Sequence, residues 1–261
     1  MFGERGMTVN KKKLVFLAVL FVGIGLALNV KETFALDLSQ WGINFNNPDR
    51  GPQATVDTVK VFVLLTILTL VPAFIILTTA FTRVVVVLSF LRNAMGSQQT
   101  PPNQVLMGLA LFITMFVMTP VYNEIMDTAV RPFVAEEITQ TEALEIGAQP
   151  LKKFMLKQTR EKDLALFMRS GNYENVEDPM SLPLTVVIPA FTISELRTAF
   201  SIGFILFLPF LVLDIVVSSI LMSMGMFMLP PAMIALPFKL LLFILVDGWY
   251  LVVESLLKGF S

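Results

Sequence analysis

Three observations predict an all-α membrane protein made of helical hairpins. The first is composition: 55% of the 261 residues are hydrophobic and only 15% are charged, where a soluble domain averages about 25% charged. The second is the length of the uncharged runs, of which residues 61–81 form one of 21 residues. The third is a strip in which Met222, Met224, Met226 and Met228 occupy alternate positions. A helix advances about 100° per residue, so alternate positions do not share a face, and Gly225 with Pro230-Pro231 argues for an irregular strip. Thioether side chains are unbranched and refill uneven gaps. Repeated around a ring of subunits, they would close on themselves and yield to a passing chain. The plainer alternative is that these methionines pad a buried apolar helix, and the run by itself leaves both readings open.

Composition also excludes chemistry. Cysteine and histidine are both absent, which removes Ser-His and Cys-His nucleophile pairs, thiolate or imidazole metal sites and the usual near-neutral proton shuttle. With 19 basic and 20 acidic residues, no bulk charge attracts nucleic acid. No cofactor or metal site is expected, and the chain does not read as an enzyme.

Residues 1–35 read as an export signal cleaved near Ala35, with an uncleaved anchor as the alternative. Lys11, Lys12 and Lys13 form the basic patch, residues 14–28 an uncharged core, and Thr33-Phe-Ala35 a cleavage site. A 15-residue helix covers about 22 Å, short of a hydrocarbon core of about 30 Å. A polar segment, 36–58, follows, with Asn46-Asn-Pro48 and Gly51-Pro52 as breakers.

Residues 59–122 are expected to form two apolar helices joined by a cytoplasmic-side loop. The first is 61–81, with Pro72 predicting a kink or discontinuity. Arg83 and Arg92 are the only charges between residues 82 and 123, so the positive-inside rule puts this loop in the cytoplasm. Thr100 as cap and Pro101 at the first helical position open the second helix, 105–122. Residues 123–183 then return outside, in agreement with an N-terminus delivered outward by the signal. They carry 7 basic and 11 acidic residues. Pro150 opens a stretch in which Leu151, Phe154, Met155, Leu164, Phe167 and Met168 recur at helical spacing until Gly171 stops it. Phe154 and Phe167 are expected to pack on neighbouring copies or on the rest of the chain.

Residues 184–261 form an apolar hairpin region carrying the methionine strip, interrupted by Glu195, Arg197, Asp214, Lys239, Asp247 and Glu254. The run 199–229 would reach about 46 Å as one helix, so it breaks at Pro209 or Gly225 or is partly buried in protein. Residues 232–257 fold back as the second arm. Ionisable groups in apolar segments face a protein interior or a watered cavity. Asp214 and Asp247 pair with Arg197 or Lys239, within a subunit or between subunits, or else one carboxylate carries protons as in a proton-coupled solute transporter; the sequence leaves both open.

Several separated blocks resemble the FliP family of flagellar and injectisome export-gate proteins. They are Phe90-Leu-Arg-Asn-Ala-Met-Gly96 with Gln99-Thr-Pro-Pro-Asn-Gln-Val105, then Ile188-Pro-Ala-Phe-Thr-Ile-Ser-Glu-Leu-Arg197, Phe207-Leu-Pro-Phe-Leu-Val-Leu-Asp214, the methionine strip, and Leu236-Pro-Phe-Lys-Leu240 with Val246-Asp-Gly-Trp249. The resemblance runs in order from about residue 56 to the C-terminus. It implies a ring of several copies in the bacterial inner membrane at the flagellar basal body. With FliQ and FliR, and beside FlhA and FlhB, that ring forms the channel for unfolded flagellar proteins. It implies a pore constriction at Met222, Met224, Met226 and Met228, with Phe227 departing from the family's unbroken methionine cluster. It also implies assembly or gate contacts at Phe154, Phe167 and Glu195. Arg197, Asp214, Lys239 and Asp247 match family blocks without an implied role beyond ion pairing.

Overall fold

The computed structural model describes residues 51–97 and 100–260. The export signal, its cleavage near Ala35 and the polar residues 36–50 lie outside the described residues. The chain divides into two compact units, Met1–Thr69 and Leu70–Ser261. In the first, the described residues are helical throughout, and the Thr66 and Thr69 hydroxyls donate back to the carbonyls of Phe62 and Thr66 at 2.7 and 2.8 Å. Such back-bonding keeps a hydroxyl satisfied on an apolar helix.

Helix α1, Gly51–Thr78, begins in that unit. Gly51-Pro52 opens it instead of breaking the chain, because proline in a first turn lacks only an N–H that has no helical partner there. The helix also runs through Pro72. It ends where threonines take over its terminal carbonyls. Thr78 and Thr79 bond Phe74 and Ile75, Thr82 reaches Ile76 at 3.0 Å, and Thr192 reaches Leu77 at 3.4 Å. All but that of Phe74 are among the last four carbonyls, the acceptors a helix end leaves orphaned.

The segment expected as a cytoplasmic loop is instead helix α2, Phe81–Ala94, and it is the centre of the second unit. Val84, Val87, Leu88 and Leu91 are buried at helical spacing against α3, Asn103–Ile125, and against residues further along the chain. Pro102, not Thr100, caps α3. Pro102 forces the residue before it out of helical geometry, so Pro101 is excluded from a first turn. A π-helical turn, Met126–Val130, and a short α4, Arg131–Val134, follow.

Helix α5, Gln140–Gln158, starts at a capping box. The Glu142 N–H donates to Thr139 Oγ1 at 3.4 Å, and the Thr139 N–H donates to the Glu142 carboxylate at 2.8 Å. Pro150 therefore lies inside the helix rather than at its start. Helix α6, Glu161–Ser170, stops at Gly171 as predicted, although the left-handed residue is Asn172 at φ 61°. Met155 on α5 buries itself with Leu182, Val186, Val187 and Phe191, and Leu164, Phe167 and Met168 of α6 pack partly on the same cluster. The outer segment thus packs on its own chain.

Helix α7, Leu184–Ser223, is continuous for 40 residues through Pro189 and Pro209, so of the two proposed breaks only Gly225 is used. The return arm is not a single run: α8, Pro231–Leu245, and α9, Gly248–Lys258, meet at a 62° bend. Asp247 stands there at φ 50°, and a β-carbon on Gly248 would come within 2.1 Å of the Phe243 ring. Among the described residues Val59–Thr78, Asn103–Val134 and Leu184–Ser223 are long and apolar enough to cross a membrane, with the bent pair α8–α9 as a fourth candidate.

Candidate functional site

The methionine strip is the connection between α7 and α8. Helix α7 ends in a Schellman closure, in which the Met226 N–H donates to Leu221 O and the Gly225 N–H to Met222 O, both at 3.0 Å. Gly225 sits at φ +75°, the left-handed position that this motif requires. Pro230 caps α8 on the other side with its φ fixed by the ring. Between these anchors the apolar side chains face outward. Met222 is 58% exposed, Met224 67%, Met226 38%, Phe227 78% and Met228 96%. The described residues of the chain do not themselves bury these methionines. Four exposed side chains on the connection, with Met222 on the last turn of α7 beside them, form an apolar surface that only lipid, another protein or copies of themselves can cover.

The charged candidates separate into different places. Lys239 on α8 is buried, and its ammonium donates to Asp214 on α7 at 2.7 Å and to the carbonyl of Ala94, the last residue of α2, at 3.3 Å. One cation thus clamps both arms of the hairpin and complements the negative end of α2. Arg197 is exposed and forms no ion pair among the described residues. Asp247 is exposed as well and serves the bend. Of the four expected partners, only Asp214 and Lys239 come together.

Glu195 belongs to a polar node that sequence reasoning missed. It is fully buried and holds Arg83, itself 3% exposed, through a bidentate ion pair with Nε at 2.8 Å and Nη2. Arg83 also donates to Gly259 O at 2.9 Å and Gln158 Oε1 at 3.0 Å, and its guanidinium lies 3.9 Å from the centroid of the Phe260 ring. Four parts of the chain thus converge on one side chain: α2, the end of α5, α7 and the residues after α9. Arg83 is consequently interior, and the charge count that placed residues 82–104 in the cytoplasm loses one of its two arginines. Beside it, the buried Ser194 hydroxyl donates to Asp163 on α6 at 2.7 Å and accepts the Arg160 N–H at 3.1 Å. Phe154 stacks with Phe260 and packs edge-on against Phe191.

On the outer helices, the Lys152 ammonium donates to the Met180 carbonyl. Burial pulls its pKa below the ordinary lysine range, against the opposing attraction of Asp178. Among the described residues no group of three or more acidic, cysteine or histidine side chains is placed to hold a metal ion.

A family model described as the FliP family matches residues 64–256. Among curated relatives, the flagellar biosynthetic protein FliP of Bacillus subtilis (strain 168) is 54% identical over 209 residues, covering 80% of this chain and 95% of that protein. The protein of the same name from Pectobacterium carotovorum subsp. carotovorum is 53% identical, over 80% of this chain and 81% of its own length. That of Caulobacter vibrioides is 47% identical, over 94% and 91%.

Proposed function

The chain belongs to the FliP family, and from that premise we propose that it is a core subunit of the flagellar type III protein-export gate, in which several copies form a ring. With FliQ and FliR it builds the channel for unfolded flagellar proteins in the bacterial inner membrane at the basal body. FlhA and FlhB stand beside it in the export apparatus. Its part is that of a conduit: it supplies a passage and a seal, and no catalysis.

The observation that carries this reading is the exposed strip of Met222, Met224, Met226, Phe227 and Met228 on a connection anchored at both ends. Contributed by several protomers, those side chains meet at the pore axis. Flexible thioethers close a hole that changes shape as a polypeptide passes, and the Phe227 rings add stiffer bulk. Phe154, Phe167 and Glu195 shape the packed outer region that neighbouring protomers meet. The proton-coupled transporter reading lacks its machinery, because Asp214 is engaged by Lys239 and Asp247 is an exposed bend residue.

The test is the double variant Met226→Ala/Met228→Ala in membranes that also contain the FliQ and FliR partners. The complex should still assemble, and the membrane should become permeable to small ions during export. An assembled complex that stays tight to ions would refute the seal.

A further inference from the structure

We propose that Gly225 is a positioning residue for the methionine seal, acting through backbone handedness alone; this rests on the sealing role proposed above.

Among the described residues of its own chain, the glycine is not required for space. A β-carbon built on Gly225 meets nothing within 4 Å, in contrast to Gly203, where it would lie 2.6 Å from the Phe90 ring. What distinguishes Gly225 is its φ of +75°, which reverses the chain so that the next N–H turns back onto α7. The two closing bonds, Met226 N–H to Leu221 O and Gly225 N–H to Met222 O, exist only while that reversal is held. They satisfy carbonyls that a helix end otherwise leaves open. The Ser223 hydroxyl and the Met224 N–H both reach Ile220 O, at 2.7 and 3.1 Å, so three successive carbonyls are closed within one turn.

The consequence for the strip is directional. Met226 is tied by its own N–H to α7 and is the least exposed of the four methionines, while Phe227 and Met228 project furthest. Pro230 fixes the other end. Only a short arc of chain is left to bend, and its direction is set at Gly225. The seal is accordingly rigid at its base and compliant at its tips. An L-residue in the left-handed region is disfavoured to an extent corresponding to about five- to thirtyfold in the population of the closed cap. The effect is least for asparagine, which visits that region most readily, and greatest for β-branched side chains.

The experiment uses the full chain in membranes with its export partners and compares Gly225→Asn, Gly225→Ala and Gly225→Val. Uptake of a small membrane-impermeant ion and recovery of the assembled complex are both measured. Expected is an ordered series: Gly225→Asn close to the parent, Gly225→Ala several-fold leakier and Gly225→Val leakier still, with undiminished assembly and every methionine in place. Equal leak from Gly225→Asn and Gly225→Val would overturn the proposal, because bulk and not handedness would then be at work. Loss of the complex in Gly225→Ala would overturn it too, assigning the glycine to folding. A tight Gly225→Val membrane beside a leaky Met226→Ala/Met228→Ala membrane removes only the role of Gly225. A tight methionine double variant removes the seal itself.

Discussion

Glu195→Ala strands a buried guanidinium, and the structure sets what that costs. In the parent, the carboxylate neutralises Arg83 and accepts two of its hydrogen bonds, at a site where Arg83 is 3% and Glu195 0% exposed. Breaking a buried pair by removing one partner costs about 3–5 kcal/mol, and arginine has no neutral form to fall back on. At about 1.4 kcal/mol per decade, opening of the surrounding core should rise between about a hundredfold and several thousandfold. The chain contains no cysteine, so a single reporter at the buried Ala199 can be labelled cleanly in membranes, and parent and variant carrying the same reporter are compared by labelling rate. The reverse variant, Arg83→Ala, should be similarly damaging, because among the described residues Arg83 supplies both hydrogen bonds that Glu195 accepts. The paired replacement Arg83→Met/Glu195→Leu should recover most of the loss. Gln158 is only half-buried and Gly259 is exposed, so their freed acceptors can turn to solvent, and apolar substitutes for buried pairs are often neutral. A change of less than twofold in Glu195→Ala, or a double replacement as damaged as either single one, would refute this account of the node.

Two further predictions follow from backbone and cap geometry. Asp247 holds φ 50° at the bend between α8 and α9, so Asp247→Asn and Asp247→Gly should leave export unchanged, whereas Asp247→Val should cost about 1–2 kcal/mol, read as lower recovery of the folded protein. Export abolished by Asp247→Asn in an assembled complex would instead give that carboxylate a chemical role. At the start of α5, the Thr139 backbone N–H, and after it the Thr139 hydroxyl, hold the Glu142 carboxyl below its usual pKa. A depressed carboxylate stabilises the fold above the unfolded value of about 4.3, and that contribution is lost as pH falls through the lower folded value. Hydrogen exchange at the first turn of α5, corrected for its intrinsic rate, should therefore be flat above about pH 5 and rise in acid. Glu142→Gln should remove most of that acid dependence.

The sequence carried the long apolar helices, the stop at Gly171 and the irregular methionine strip, because each depends on neighbours within a few residues. It also carried one signal that was passed over. Val84, Val87, Leu88 and Leu91 follow the three-and-four spacing of a buried helical face, but Arg83 and Arg92 beside them looked like loop charges. Reading an arginine as a surface marker is sound only when no carboxylate waits for it, and Glu195 lies 112 residues away. Nothing local connects the two. Pro150 does not start its helix, and neither Pro72 nor Pro209 interrupts the helix that holds it. Proline removes one donor from a helix, and in a packed or apolar setting the remaining bonds and contacts carry the helix past it. Position 225 differs because the chain there must turn left-handed, and glycine permits that at no steric cost.

An ionisable group in an apolar segment needs a partner, and the sequence leaves open whether the same subunit or a neighbour supplies it. In the structure, Glu195 and Lys239 find their partners within the chain. Helix α7 is about 60 Å long, but α5 and α6 pack along its first turns around Val186, Val187 and Phe191. Beyond Ala199 about 36 Å remain, close to the thickness of a single hydrocarbon core. Lipid can cover Phe204, Ile205, Val212 and Ile215, which are exposed along that stretch. The connection lies past the end of that helix. Phe227 and Met228 project there without cover from the described residues of their own chain. The case for contacts between copies therefore rests on this connection, at the place where the proposed seal must close.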